Sequence, residues 1–260
     1  MEEIQLTQEE NIATVTINRP QVKNAVTSDM WDELQRVFTE LGYRDDVRAV
    51  IVTGAGDDFC SGADVGGMGS RSEGPRLHQL DAMRKVGDCC LSLFNMPKVT
   101  IAKVSGVAVG AGMNLALSCD LVVASENARF SEIFAQRGLS VDFGGSFLLP
   151  RIVGMQKAKE LVLLAEVISA SKAHEMGLTN YVVPREQLDE KVLDLATRAA
   201  SGPPRALAMS KAMLNKSFAN SIQDALDQEG TSQTVNFTTK DVSEAMKAFQ
   251  EKRSPRFKGW

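Results

Sequence analysis

The 260-residue chain reads as an α/β protein with a helical C-terminal tail. Three observations carry that reading. Short apolar runs alternate with stretches of helical periodicity as far as residue 200, the pattern of strands joined by helices. After Ser201-Gly202-Pro203-Pro204 three helical stripes follow with no strand among them. Between these regions lies SGVAVGAGMNLALSCDL, residues 105–121. There an apolar strand, 98–104, enters a glycine-rich turn and then a buried helix over Met113 to Leu117.

The elements follow in order. Ile4 to Leu6 and then Ile12, Val15 and Ile17 predict two strands, a hairpin through Glu9-Glu10-Asn11. Asn18-Arg19-Pro20 ends the second. The polar segment 19–27, with Lys23-Asn24-Ala25, is either a surface loop or part of a ligand rim. Met30, Leu34, Val37, Phe38 and Leu41 fall on one face of a helix over 28–42. A strand at 49–53 and a turn, Gly54 to Asp58, lead into Phe59-Cys60-Ser61-Gly62-Ala63-Asp64. Gly62 there lets a backbone N–H approach a ligand closely.

Residues 66–75 are rich in glycine and predict a mobile loop of the kind that covers a substrate. A helix over 77–94 follows, then strands at 121–124 and 128–131. A second loop, Gly138-Leu139-Ser140-Val141-Asp142-Phe143-Gly144-Gly145, precedes a helix at 145–151. Helices at 155–164 and 171–177, a strand at 180–183 and a helix at 186–200 complete the first region. The expected division is an α/β core, 1–200, that holds the site, and a helical region, 201–260.

Composition narrows the function. With 43% hydrophobic and 24% charged residues the chain can bury a large core. A net charge of −4 argues against a nucleic-acid partner. No apolar run approaches the roughly 18 residues of a membrane span, and the acidic start MEEIQLTQEEN carries no secretory signal. Cys60, Cys89, Cys90 and Cys119 form no C-x-x-C pair, and His78 and His174 are the only histidines, so no metal site is expected. Neighbouring Cys89 and Cys90 read as buried small apolar residues in a reducing cytoplasm, and both histidines as surface or packing residues.

The glycine-rich stretch carries the chemistry. A turn entering a helix leaves N–H groups unpaired, and the helix dipole adds positive charge there. That suits an oxygen that is, or becomes, negative: a phosphate or an enolate. A dinucleotide fingerprint fails because Leu115 stands where its third glycine belongs, and no G-K-[ST] follows for a P-loop. Glycines serving only tight helix–strand packing remain the structural alternative.

Ser105-Gly106, Gly110-Ala111-Gly112 and Ser118-Cys119-Asp120-Leu121 resemble the signature of the crotonase (enoyl-CoA hydratase/isomerase) superfamily. The resemblance spans nearly the whole chain, through Asn18-Arg19-Pro20, Asn24-Ala25, Ser61-Gly62-Ala63-Asp64, Ala128-Arg129-Phe130, Gly144-Gly145, Leu149-Pro150-Arg151 and Gly177-Leu178. It implies a spiral of repeated β-β-α units with a helical C-terminal oligomerisation region, forming a homotrimer or a dimer of trimers. It implies a coenzyme A thioester as substrate and no separate cofactor. The N–H groups of Ala63 and Ala111 match the family's oxyanion hole. Lys23, Ala25, Ala63, Asp64, Val65 and Gly110 match the CoA and thioester surroundings, with Lys258 of the C-terminal tail as a further CoA contact unless that tail is frayed.

Hydratases of the family use two glutamates. Here Asn114 stands at the first position, and an amide cannot accept a proton at neutral pH. Phe134 stands at the second; Glu132, two residues away, would serve only with a shifted register. Asp142 matches the aspartate of several family isomerases and of a dehalogenase branch. Burial among Val141, Phe143, Phe134 and Leu139 would raise its pKa toward that of a useful base; the alternative is helix N-capping. A single base suits transfer of an enoyl-CoA double bond from C3 to C2. The rival readings are enoyl-CoA hydration, hydrolysis or dehalogenation through an aspartyl intermediate, and a catalytically silent acyl-CoA-binding homologue.

Overall fold

The computed structural model describes residues 2–64, 66 and 78–260. The hairpin forms as expected: β1 (Ile4–Glu9) pairs antiparallel with β2 (Ile12–Ile17). From β2 onward the sheet is parallel, through β3 (Ala49–Gly54), β4 (Val99–Val104), β6 (Leu121–Ser125) and β9 (Tyr181–Val183), in the order β1-β2-β3-β4-β6-β9. Parallel neighbours need crossovers, and here each crossover also contributes to a second layer. That layer holds β5 (Val107–Val109), β7 (Arg129–Ser131) and β8 (Ile168–Ser169), in that order. Single bridges extend it, Cys60 to Ala108 and Val26 to Ala63. The result is a spiral whose successive turns each lay a few residues on one ladder.

Helices cover the sheet. Thr27 caps α1 (Ser28–Tyr43) by accepting from Met30 N at 3.3 Å, and the helix buries Met30, Trp31, Leu34, Val37, Phe38 and Leu41. It packs against α2 (Gln79–Phe94), which is capped by His78, whose ring accepts from Leu80 N. The expected residue 77 of that helix and most of the 66–75 loop lie outside the described residues. On β3, Val50 and Val52 face the main core while Ala49 and Ile51 face α6 (Leu188–Ala200) in a second one. A strand covered on both faces reads as an unbroken apolar run, as this one does.

Between β5 and β6 lies α3 (Ala111–Leu117), every residue of it buried. Helix α4 runs Gly145–Leu164 with a kink at Gly154, where φ is 77°, so the two helices expected there join end to end. Helix α5 (Ala170–Glu175) follows, and His174 Nδ1 donates to Thr179 O at 2.9 Å, a packing role. Beyond α6 come α7 (Pro204–Lys216), α8 (Ile222–Phe237) and α9 (Lys240–Gln250). No residue of α7 or α8 is buried, and Leu214, Phe218, Ile222 and Phe237 are each at least 70% exposed. Among the described residues no helix is long and apolar enough to cross a membrane.

Candidate active site

The site assembles where the second ladder meets α3. Parallel pairing at the Val26–Ala63 bridge uses Gly62 O, which accepts from Val26 N at 2.9 Å, and Asp64 N, which donates to Val26 O at 2.8 Å. Alternation along an extended strand then turns Ala63's own N–H to the opposite side. Ala111 is the first residue of α3, and its N–H is among those a helix start leaves unpaired. Among the described residues neither N–H donates to another main-chain group. Gly62 brings the two segments together: a Cβ there would lie 3.0 Å from Val109 O and 3.4 Å from Ala111 N.

Glycine is required at the turn itself. Gly110 has φ 55° and ψ −131°, a conformation open to residues without a Cβ. The Phe134 ring packs beside it, 3.6 Å from where a Cβ would stand, an ordinary van der Waals contact. Phe134, itself buried, thus forms an apolar wall against the turn.

Behind this wall three polar side chains meet. Asn114 is fully buried on α3, and its Nδ2 donates to Asp142 O at 3.0 Å and to Glu132 Oε2 at 3.3 Å. A main-chain carbonyl only accepts, so the amide must present its NH2 to this side. Among the described residues, Asn114 Oδ1, Glu132 Oε1 and Asp142 Oδ1 are all buried without a partner. Gly145 packs on this amide, and a Cβ there would be 2.5 Å from Nδ2 and 2.7 Å from Oδ1.

The electrostatics follow from burial. Desolvation pushes the Asp142 carboxyl up to about 6. It pushes Glu132 up to about 8, against the hydrogen bond from Asn114 and with added repulsion from Asp142. Nearby, Cys90 Sγ lies 3.6 Å from Phe143 O and 3.5 Å from Ser118 Oγ, its thiol raised chiefly by burial.

Two expectations are corrected here. Glu132 needs no shift in register to enter the site. The chain leaves β7 into a 3-10 turn, Ile133–Arg137, and this turns both Glu132 and Phe134 inward. Nor does Asp142 cap α4, whose N-cap is Gly144 with no side-chain cap bond. Phe143 at φ 45° and Gly144 at φ 76° both adopt left-handed backbone and separate the Asp142 side chain from the helix start. The Phe143 conformation is costly for a residue with a Cβ, and its ring holds it, packed 5.0 Å from that of Trp31.

The proposed CoA side is contiguous with Ala63. Ser61 N donates to the exposed Lys23's carbonyl at 2.9 Å, and Ala25 is buried beside it. Arg19, which the sequence offered only as part of a motif, clamps this rim: Nη1 donates to Ala25 O at 2.7 Å and pairs with Asp64 at 2.8 Å. That pair holds the Asp64 carboxyl below its usual range. Val65 lies outside the described residues.

Lys258 is not brought to this site. Its N–H and that of Gly259 donate to Asp241, and Arg48 donates to Phe257 O at 2.9 Å. The tail is therefore docked, not frayed. Arg48 precedes β3 and Ala63 follows it, so roughly 17 Å of strand separates the two ends. A cavity of about 680 Å³ lies at this far end, lined by Arg48, Lys98, Arg205, Lys258 and Trp260 among others. Among the described residues no three His, Cys, Asp or Glu side chains are grouped to hold a metal.

This architecture is the crotonase fold. An enoyl-CoA hydratase structure from Bacillus anthracis superposes with a TM-score of 0.93 at 31% identity, covering 100% of both chains. Residues 7–260 match the enoyl-CoA hydratase/isomerase family model, and the chain belongs to that family. Its relatives include the 1,2-epoxyphenylacetyl-CoA isomerase of Escherichia coli, 35% identical over 96% of each chain. They also include the short-chain-enoyl-CoA hydratase of Clostridium acetobutylicum, 38% identical over 95% of this chain and 94% of the other.

Proposed function

We propose that the protein is an enoyl-CoA isomerase that moves a double bond from C3–C4 to C2–C3 of a coenzyme A thioester. The Asp142 carboxylate takes a proton from C2. The C–H electron pair forms a dienolate, and its oxygen rests on the N–H groups of Ala63 and Ala111. The carboxyl then returns the proton to C4, and the electrons close into the conjugated C2–C3 double bond. One base serves both transfers, so the proton balance closes without water or a cofactor.

The observation that carries this reading is Asp142. It is a half-buried carboxyl with one oxygen shielded from solvent, raised to about 6, in a site where the family resemblance sets Asn114 and Phe134 at the hydratase glutamate positions. A base near the working pH combines deprotonation with proton affinity. The named isomerase relative supports the class, with an acyl group of its own. Lys23, Ala25, Asp64 and Val65 would line the CoA path. The exposed apolar residues of α7 and α8 suit a homotrimer, or a dimer of trimers, in which Lys258 serves a neighbour's CoA.

Asp142→Asn should lower turnover of a 3-enoyl-CoA by about 10²–10⁴-fold while leaving CoA-ester affinity nearly unchanged. Retained turnover removes the assignment. Hydration is the second reading, supported by the hydratase relatives and by Glu132, which supplies a second carboxyl beside Asn114. Mass spectrometry of a panel of 2-enoyl-, 3-enoyl- and 3-hydroxyacyl-CoA esters separates isomerisation, hydration and hydrolysis.

A further inference from the structure

Glu132 is an ionisable side chain that the single-base mechanism leaves unused. It is fully buried, and among the described residues its one hydrogen bond comes from a neutral amide at 3.3 Å and its Oε1 has no partner. The same amide holds the main-chain oxygen of Asp142. The surrounding groups are few. Asn114 faces Glu132 from α3, Asp142 from the loop before α4, and the Cys90 thiol of α2 lies on the far side of the Asp142–Gly144 turn.

We propose that Glu132 is a positioning residue: as a neutral acid it steadies the Asn114 amide under Asp142 and leaves Asp142 the only negative charge of the triad, and its ionisation switches the site off. The inference rests on the reading of Asp142 as base. A buried carboxylate without a cation is costly, and such a group stays protonated instead. Burial and the Asp142 charge both push it up, to about 8. Above that pH a second anion faces the one already present. The dienolate adds a third charge to the same pocket, so the barrier to forming it rises.

Turnover should therefore follow a bell, with an acid limb near 6 from Asp142 and an alkaline limb near 8 from Glu132. Glu132→Gln keeps an acceptor for Asn114 and cannot ionise. It should abolish the alkaline limb, keep the acid limb, and lower kcat at pH 7 by less than about tenfold with KM unchanged. An alkaline limb that stays in place overturns the proposal. So does a variant as inactive as Asp142→Asn at every pH, because Glu132 would then be the base.

A second measurement covers the case in which Glu132→Gln does not fold. Carbon-13 carboxyl titration of glutamate-labelled protein should show one group titrating near 8, moving to lower pH in Asp142→Asn as the neighbouring charge disappears. If no glutamate titrates above pH 7, the proposal fails. The two readings fail separately. Active Asp142→Asn removes the base itself, whereas inactive Asp142→Asn with an unaltered alkaline limb in Glu132→Gln removes only the switch.

Discussion

Glu132 and Glu244 are the same side chain driven in opposite directions. Glu132 is buried beside Asn114 and raised to about 8 by desolvation. Glu244, on α9, is lowered to about 2, first by the Arg253 side chain and then by the Arg256 N–H. At the tail end Arg253 pairs with Glu244 and Glu251, and Asp241 accepts from two main-chain N–H groups. At the α3 end, among the described residues, three side-chain oxygens are buried without a partner. An end built for stability satisfies its polar groups; the other end bears their cost where chemistry needs a base and open donors.

The largest effect apart from the loss of Asp142 should come from the donors. Ala111→Pro removes one N–H at the first position of a helix, where proline's fixed φ is tolerated. If that N–H holds the thioester oxygen, kcat falls by about 10²-fold with the fold intact. A variant that folds and turns over normally would place the oxyanion elsewhere, and the open N–H of α3 would be only a helix end.

The sequence made this end legible because its signals are local. Gly110, Gly112 and the small residues around them predict a turn and a close approach, and both are found. The strand β5 was not foreseen, since three residues between two glycines show no alternation. The sequence offers Glu132 only through a shifted register, because matching the family's spacing sets Phe134 at the second glutamate and is silent on where the neighbouring side chains point. The 3-10 turn after Ser131 instead carries both Glu132 and Phe134 inward. The Lys258 tail shows the reverse limit. A basic, aromatic terminus suggests a ligand contact, but only the fold reveals that Asp241 and Arg48 fasten it to the far end of the sheet. Beyond the hairpin, the order of the sheet, with β3 beside β2 and β9 beside β6, depends on crossovers that no local pattern encodes.

A smaller effect should appear in stability. Glu132 binds its proton more tightly in the folded chain than in the unfolded one, where a glutamate titrates near 4.3. The folded state therefore carries the extra proton between that value and about 8, and stability declines as pH rises through this window. Glu132→Gln lacks this decline. Its melting temperature should gain on the wild type by roughly 8 °C between pH 5 and pH 8.5, measured by calorimetry. Parallel curves would mean that Glu132 is ionised throughout.

The smallest effect belongs to the tail, and its sign is opposite. Glu244 is held below its usual value, so its contribution is present at neutral pH and fades as pH falls toward 2. The pair is largely solvent-screened, and its worth is correspondingly small. Glu244→Gln should lower the melting temperature at pH 7 by less than about 2 °C, and by less still in 1 M salt. Turnover should not change, and KM should stay within about twofold, because Asp241 still holds the N–H groups of Lys258 and Gly259. A clear rise in KM would break the division between the two ends. Loosening the 251–256 segment would then be felt at a CoA site that the tail cannot reach within its own chain, and the comparison would have to be redrawn across protomers.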